Sequence, residues 1–143
     1  MKGNTQNGKE VPEAMPNYIG EKFRIPYPQK PSERKKWNSQ FGMNAYYAGK
    51  HWSVRKKDAD FWHMLVKSCM NGQEVRRIPF KRPVVITFRW NDRMDIDNHA
   101  VMGKMIVDAM KGRIIEDDNK QWVRGVCHYF HDEDYISVEI HEV

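Results

Sequence analysis

A strand that runs into an acidic segment and then into a helix occupies the middle of this 143-residue chain. Apolar and polar residues alternate from Val84 to Trp90, which predicts a strand with one buried face. Apolar side chains then recur with helical spacing over residues 98–111, and Gly112 is a stop signal for that helix. The residues between these elements are held by a rigid strand and a helix, which favours a role in chemistry.

Four carboxylates lie in or close to this connection. Asp95 and Asp97 are one residue apart, so in an extended segment both side chains leave the same side of the backbone. Asp97 is predicted to cap the helix. After the helix, a short loop that contains Asp117 and Asp118 can bring two more acids back toward the helix N-terminus. We therefore expect three or more carboxylates to converge.

The predicted helix also carries a polar stripe. Steps of seven and eleven residues return almost to the starting face of a helix, so Asp97, Lys104 and Asp108 should share one side. This stripe adjoins Asp95. Its lysine is therefore placed to neutralise charge that develops on a bound phosphate.

Converging carboxylates repel one another unless a cation lies between them. Oxygen ligands from aspartate suit Mg²⁺ or Mn²⁺. These ions activate water and stabilise the leaving oxygen in phosphodiester cleavage, so the cluster predicts a metal-dependent phosphodiesterase. The alternative is an acidic, solvated turn beside an ordinary helix.

The acidic segment and the helix carry a resemblance to a known family. The residues concerned are the run Asp95-Ile96-Asp97-Asn98, then Lys104, the run Asp108-Ala109-Met110, Gly112 and the pair Asp117-Asp118. In this order they resemble the signature of the RusA family of Holliday junction resolvases, magnesium-dependent endonucleases common in phages and prophages. The resemblance covers most of the chain from about Phe23 onward.

The resemblance implies a fold class and a set of site residues. The fold would be α+β, a single small domain in which a mixed or antiparallel sheet packs with two main helices. Asp95, Asp97 and Asp118 would bind the metal and act in catalysis, with Lys104 as the catalytic lysine. The supporting residues would be Asp117, Asp108 and Asn98.

The position of the lysine departs from the commonest form of the family motif. That form places the lysine four residues after the second aspartate, whereas Lys104 follows Asp97 by seven. On a helix both spacings face about the same side, but the longer one moves the ammonium along by about one turn, roughly 4.5 Å. A catalytic role for Lys104 therefore depends on the reach of its long side chain.

The net charge of +5 conceals a division between the two parts of the chain. Residues 1–90 carry 18 Lys and Arg against 7 Asp and Glu, a net charge of +11. Residues 91–143 carry 6 against 12, a net charge of −6. A phosphodiesterase needs a basic surface beside its acids to hold a polyanion, and this division supplies one. The alternative is that the lysines only keep a small protein soluble.

Residues 43–57 combine aromatic and cationic side chains, as nucleic-acid surfaces do. A helix predicted to be capped by Ser53 and to run to about Met70 begins with three cations, which oppose its macrodipole unless a phosphate binds there. They could instead extend into water. The predicted DNA-binding residues are Lys50, His51, Trp52, Arg55, Lys56, Lys57, Lys81, Arg82 and Arg93.

The remaining segments are assigned from local patterns. Residues 1–18 are predicted to be a disordered arm, and 19–143 the folded domain. Residues 22–27 predict an edge strand that contains a proline, and residues 28–42 predict a basic loop. Residues 122–130 and 135–141 alternate as two strands around a tight polar turn, which predicts an antiparallel hairpin.

The composition indicates which cellular compartment and which cofactors to expect. Two cysteines are too few for a disulfide framework, and the chain shows neither a signal peptide nor an apolar run of about 20 residues. We therefore expect a cytoplasmic protein, in the host cytoplasm if phage-encoded, without a membrane segment or a small-molecule cofactor. Cys127, His128 and His131 do not suggest zinc, because strand residues three apart face opposite sides.

These inferences together predict a structure-selective endodeoxyribonuclease that resolves four-way DNA junctions by paired, Mg²⁺-dependent incisions. Because a four-way junction is nearly two-fold symmetric, we expect a homodimer with two equivalent sites. One alternative is a non-catalytic, basic DNA-binding or regulatory protein. Another is a nuclease that acts on other branched DNA.

Overall fold

The computed structural model describes residues 20–143, so the arm predicted at residues 1–18 lies outside the described part of the chain. Within residues 20–143 the chain forms four strands and four α-helices. The strands are β1 (Gly20–Pro26), β2 (Val84–Trp90), β3 (Val123–Phe130) and β4 (Tyr135–Glu142). The helices are α1 (Pro31–Phe41), α2 (Met43–Tyr47), α3 (Trp52–Gly72) and α4 (Ala100–Met110).

The strands form one mixed sheet in the order β1-β4-β2-β3. Strand β4 is antiparallel to both of its neighbours, whereas β3 is parallel to β2. This arrangement confirms the predicted α+β class with a mixed sheet, and β1 is an edge strand as predicted. Helices α3 and α4 correspond to the two expected helices, and α1 and α2 are additional.

The predicted hairpin between the last two strands is wrong, because β2 lies between β3 and β4. The chain crosses the end of β2 instead of turning back on itself, and the amide of His131 donates to the carbonyl of Trp90 at 3.0 Å. Ile136, Val138 and Ile140 are fully buried, as suits a strand with a partner on each side. Alternation predicts which face of a strand is buried but does not predict its neighbours.

The predicted basic loop at residues 28–42 is also wrong, because most of it forms α1. Pro31 opens this helix, where a missing amide hydrogen costs nothing. Trp37 and Phe41, four residues apart, are buried and pack against Trp62 with ring centroids 4.9 and 5.3 Å away. Two apolar side chains on a cationic helix are a weak pattern, but their spacing was the available signal.

One hydrophobic core joins the sheet to α1, α3 and α4. On α3 the buried residues Trp62, Val66 and Met70 repeat every fourth position, so they form one face of the helix. The helix cap is His51, whose Nδ1 accepts from the amide of Ser53 at 3.1 Å, and not Ser53 itself. None of the helices in residues 20–143 combines the length and apolar character needed to cross a bilayer.

A buried carboxylate ties the first three helices together. Asp58 on α3 is 2% exposed, and it accepts hydrogen bonds from Gln40 Nε2 at 2.9 Å and from Tyr46 Oη at 2.6 Å. The ammonium of Lys50 forms an ion pair with the same carboxylate. Burial alone would raise the pKa of Asp58, but the hydrogen bonds from Lys50, Tyr46 and Gln40 together lower it. Asp58 is therefore charged in the folded protein.

We predict that Asp58→Asn lowers the free energy of unfolding at pH 7 by about 3–5 kcal/mol, because it leaves the Lys50 charge without its partner. The lowered pKa means that this stabilisation is present above the unfolded pKa of about 3.9 and is lost as pH falls through the native pKa. Urea denaturation should show the gap between wild type and variant closing below about pH 4.

Asp60→Asn is the matched control, because Asp60 lies two residues away and forms only an exposed ion pair with Lys56 at 3.0 Å. It should leave the stability nearly unchanged. Equal destabilisation by the two variants would contradict a special role for Asp58.

Candidate active site

The end of β2 is anchored on several sides before the acidic segment begins. The amide of Asn91 donates to Tyr27 Oη at 2.8 Å, and Asn91 Nδ2 donates to the carbonyl of Glu133 at 3.0 Å. The amide of Met94 donates to Asp92 Oδ1 at 2.9 Å, and the Met94 side chain packs against the core. Asp95 therefore leaves a fixed stretch of backbone.

A short 3-10 helix, Ile96–His99, lies between this stretch and α4. The amide of Asn98 donates to the carbonyl of Asp95 at 3.0 Å, and neither the 3-10 helix nor α4 has a side-chain cap. The predicted cap at Asp97 is therefore wrong. Asn98 Oδ1 instead accepts from the amide of Asn44 on α2 at 2.9 Å, so tertiary contacts, and not a cap, set the start of α4.

A buried pair of side chains, His99 and Asp92, supports the 3-10 helix. His99 and Asp92 are 0% and 1% exposed, and His99 Nε2 lies 2.7 and 2.9 Å from the two oxygens of Asp92. The other ring nitrogen, Nδ1, lies 2.9 Å from the carbonyl oxygen of Ile96. Both ring nitrogens therefore lie within hydrogen-bond distance of oxygen atoms, which fixes the orientation of the ring. This pair was not predicted, since its only signal in the sequence is a histidine directly after Asp97-Asn98.

Asp95 and Asp97 themselves are exposed. Within residues 20–143 no ion pair engages either carboxylate, so their oxygens are available to a cation or to solvent. Exposed carboxylate oxygens are the ligands that hard divalent cations prefer. The donor chemistry of this pair fits magnesium or manganese.

Asp118, the third predicted ligand, has a different partner. Its Oδ2 lies 3.2 Å from the ammonium of Lys111, which also lies 3.3 Å from Asp108 and 3.8 Å from Asp117. Burial would raise the pKa of Asp118, but the contact with Lys111 outweighs this effect and lowers it. Burial would lower the pKa of Lys111, but Asp118 and Asp108 together raise it. Asp118 is therefore a charged carboxylate held by a lysine.

Lys104 lies on the exposed side of α4 with its ammonium 3.2 Å from Asp108. Asp108 thus bridges Lys104 and Lys111. Of the predicted polar stripe of Asp97, Lys104 and Asp108, the structure joins the last two. Asp97 is not part of it, because the 3-10 helix changes the phase of the chain before α4 begins.

The structure does not gather the three predicted ligands. In residues 20–143 no three His, Cys, Asp or Glu side chains form a group that could hold a metal ion. Asp95 and Asp97 precede α4, whereas Asp118 is paired with a lysine that follows α4. The carboxylates have the right chemistry for a divalent cation, and the three-ligand geometry is not formed.

A groove between α4 and β3 extends from the start of α4 to Asp118. It encloses about 270 Å³ and combines apolar walls with three polar side chains, Lys104, Asp118 and His128. Gly103 forms part of its floor. From the sequence, His128 was named only as a rejected zinc ligand and was not predicted to lie near the acids.

The predicted DNA-binding residues divide into three groups. Trp52 is 66% exposed, and Arg55 and Lys57 are also exposed on the first turn of α3. Lys50 instead pairs with buried Asp58, and Lys56 pairs with Asp60. His51 caps α3. Of the six predicted contacts in residues 50–57, the three in the first group are exposed and make no ion pair within residues 20–143.

The remaining predicted contacts lie at opposite ends of β2. Lys81 and Arg82 precede the strand, and Arg82 reaches the chain terminus, with Nη2 donating to the carbonyl of Val143 at 3.4 Å. Arg93 follows the strand and is exposed beside Asp95. A seven-residue strand spans roughly 20 Å, so Lys81 and Arg82 lie far from the acids.

Comparison with known proteins gives no family assignment. No protein-family model matches this sequence, and no curated protein matches it.

We predict that Asp92→Ala lowers the free energy of unfolding by about 1–3 kcal/mol, because it leaves a buried ring nitrogen of His99 without its hydrogen-bond partner. Hydrogen exchange of the amides in residues 96–99 should become faster, since the pair holds this helix to the end of β2. Asp132→Ala, which removes an exposed carboxylate from the turn after β3, serves as the control and should change neither quantity. Unchanged exchange in Asp92→Ala would contradict the supporting role.

Proposed function

We propose that the chain is a Mg²⁺-dependent endodeoxyribonuclease of the RusA type that resolves four-way DNA junctions. The observation that carries this proposal is the hydrogen bond between Asn98 and Asn44, which attaches the segment bearing Asp95 and Asp97 to α2. The exposed Trp52, Arg55 and Lys57 follow α2 along the chain. Exposed acids beside an aromatic and cationic surface suit cleavage of a nucleic-acid backbone.

The residues that would hold the metal are Asp95, Asp97 and Asp118. A bound magnesium ion would supply Lewis-acid activation of water and neutralise charge on the phosphate. For all three carboxylates to bind one ion, Asp118 must exchange Lys111 for the metal. Lys104, 72% exposed, has a side chain long enough to reach a phosphate beside α4. Asn98 keeps the acidic segment in place through Asn44.

The proposed substrate is branched DNA, and the proposed assembly is a homodimer. Arg55, Lys57 and Trp52 contact the backbone and an unpaired base, and they need no sequence-specific contact. Two equivalent sites related by a dimer axis match the near two-fold symmetry of a four-way junction. The proposed compartment is the cytoplasm, or the host cytoplasm for a phage-encoded protein.

A second candidate is a basic DNA-binding protein without catalysis. The ion pair between Asp118 and Lys111 favours it, because that lysine occupies the carboxylate that a metal would need. In this case Asp95 and Asp97 would be solvated surface acids. A nuclease for other branched DNA, such as flaps, remains an alternative within the first proposal.

We predict that wild-type protein cuts a labelled synthetic four-way junction with Mg²⁺ and leaves it intact with EDTA. Asp97→Asn should slow single-turnover cleavage by more than about a hundredfold, equivalent to about 2.7 kcal/mol of transition-state stabilisation. Its affinity for the junction in EDTA should be equal or higher, because one negative charge near the phosphates is removed. Asp132→Asn, which removes an exposed carboxylate elsewhere, should cut at the wild-type rate.

The outcomes separate the candidates. Tight junction binding without metal-dependent incision would reject catalysis and favour the binding protein. Faster cutting of flaps than of junctions would mean that flaps, and not four-way junctions, are the preferred substrate. Paired, symmetric incision positions on the two strands would support a homodimeric resolvase.

We predict that Arg55→Ala with Lys57→Ala weakens junction binding and reduces its salt dependence. The slope of log affinity against log salt concentration is negative, and each lost phosphate contact should make it less negative by about 0.9. The control is Lys22→Ala, an exposed lysine on edge strand β1, which should leave the slope unchanged. If the double variant keeps the wild-type slope, DNA binds at a surface other than the first turn of α3.

A further inference from the structure

His128 has a fixed orientation at the edge of the groove between α4 and β3. In the register of the sheet it lies beside Phe88, on the face that packs against the helices. Its ring stacks on Phe88 and Trp90, with centroids 5.3 and 5.9 Å away. The imidazole is therefore half-buried and held between aromatic neighbours and the groove.

One hydrogen bond determines which ring nitrogen of His128 carries the proton. The indole nitrogen of Trp90 is a donor only, and it lies 3.0 Å from His128 Nδ1. Nδ1 must accept this bond, so the hydrogen of the neutral imidazole is on Nε2. Burial, together with the charge of His99, lowers the pKa of His128, which favours the neutral form.

Gly103 leaves the Nε2 side of the ring open to the groove. A Cβ atom at this position of α4 would lie 3.0 Å from His128 Cε1 and 3.7 Å from Nε2. The absence of a side chain lets the imidazole approach the helix backbone. In the described residues Nε2 makes no hydrogen bond, so its hydrogen is available to a ligand.

We propose that this groove is a subsite for one deoxynucleotide unit of bound DNA, in which Nε2–H of His128 donates to a phosphate oxygen. This inference rests on the proposed function and assigns part of its substrate contact. Lys104, which lines the same groove, supplies the second donor and the positive charge. The apolar walls formed by Val107, Val123 and Val126 pack against the sugar.

The charges around the groove are compatible with this assignment. Asp118 is the acid among the lining residues, and it would repel a phosphate if it were alone. Lys111 offsets its charge at 3.2 Å. The polar donors that remain are a neutral N–H and an ammonium, which together suit an anion, whereas apolar walls suit the carbon surface of a deoxyribose.

The first test is a long-range ¹H–¹⁵N correlation spectrum of the histidine rings in the full chain with EDTA. We expect a protonated Nε2 and an unprotonated Nδ1 for His128. Addition of a short single-stranded DNA oligonucleotide should shift the His128 Nε2 signal and leave that of exposed His63 on α3 unchanged. Inorganic phosphate, added alone, tests whether the phosphate suffices. A protonated Nδ1, or no shift with the oligonucleotide, would overturn the proposal.

The second test compares two substitutions that each keep one side of the imidazole. His128→Gln places an amide near the position of Nε2, whereas His128→Asn places one near Nδ1 and can still accept from Trp90. The subsite predicts that His128→Asn weakens junction binding in EDTA by about tenfold and that His128→Gln retains most of the affinity. A purely structural role predicts the reverse order, with His128→Gln the less stable protein in urea.

Cleavage measured with the same variants distinguishes this proposal from the proposed function. If wild type binds but does not cut and His128→Asn still binds more weakly, the endonuclease fails and the subsite stands. If wild type cuts and both variants bind and cut as it does, the subsite fails and the endonuclease stands.

Discussion

The buried contact between His99 and Asp92 is the interaction on which the candidate site depends. Asp92 lies two residues after the end of β2, and His99 ends the 3-10 helix just before α4, so the pair fixes the short connection between β2 and α4. Asp95 and Asp97 lie on that connection. Repulsion between two carboxylates on a free loop would move them apart, whereas a connection fixed at both ends keeps them on one side of the molecule.

A second set of contacts brings the cationic surface to these acids. The acids alone would repel DNA, and the favourable contribution of Arg55 and Lys57 falls off within about 8–10 Å in physiological salt. The Asp58 network holds α1, α2 and α3 together, and the hydrogen bond between Asn44 and Asn98 joins that unit to the acidic segment. Lys50 illustrates the cost of this arrangement, since its charge neutralises Asp58 and is not available to a phosphate.

The sequence predicted much of the fold because strands and long helices have strong periodicities. It predicted β2, β3, β4 and the extent of α3 and α4, but α1 has only two buried apolar residues, Trp37 and Phe41, among cations. The order of the strands depends on long-range pairing, which alternation does not encode. At the site, Asp95 and Asp97 were found from their spacing. The pairs His99 with Asp92 and Trp90 with His128 were not. The first forms only once the segment after β2 packs on the 3-10 helix, and the second only once β2 and β3 pair.

The two acidic groups of the site differ in what neutralises them. Asp108, Asp117 and Asp118 share the ammonium of Lys111, whereas Asp95 and Asp97 have no such partner in residues 20–143. The ion pair of Asp118 is partly exposed, and such pairs contribute only about 0–1 kcal/mol. Its loss would therefore be a small cost beside the gain from a third carboxylate ligand on a divalent cation. Lys111 thus holds Asp118 charged and near the groove, and the proposed exchange of Asp118 onto a metal would break only this ion pair.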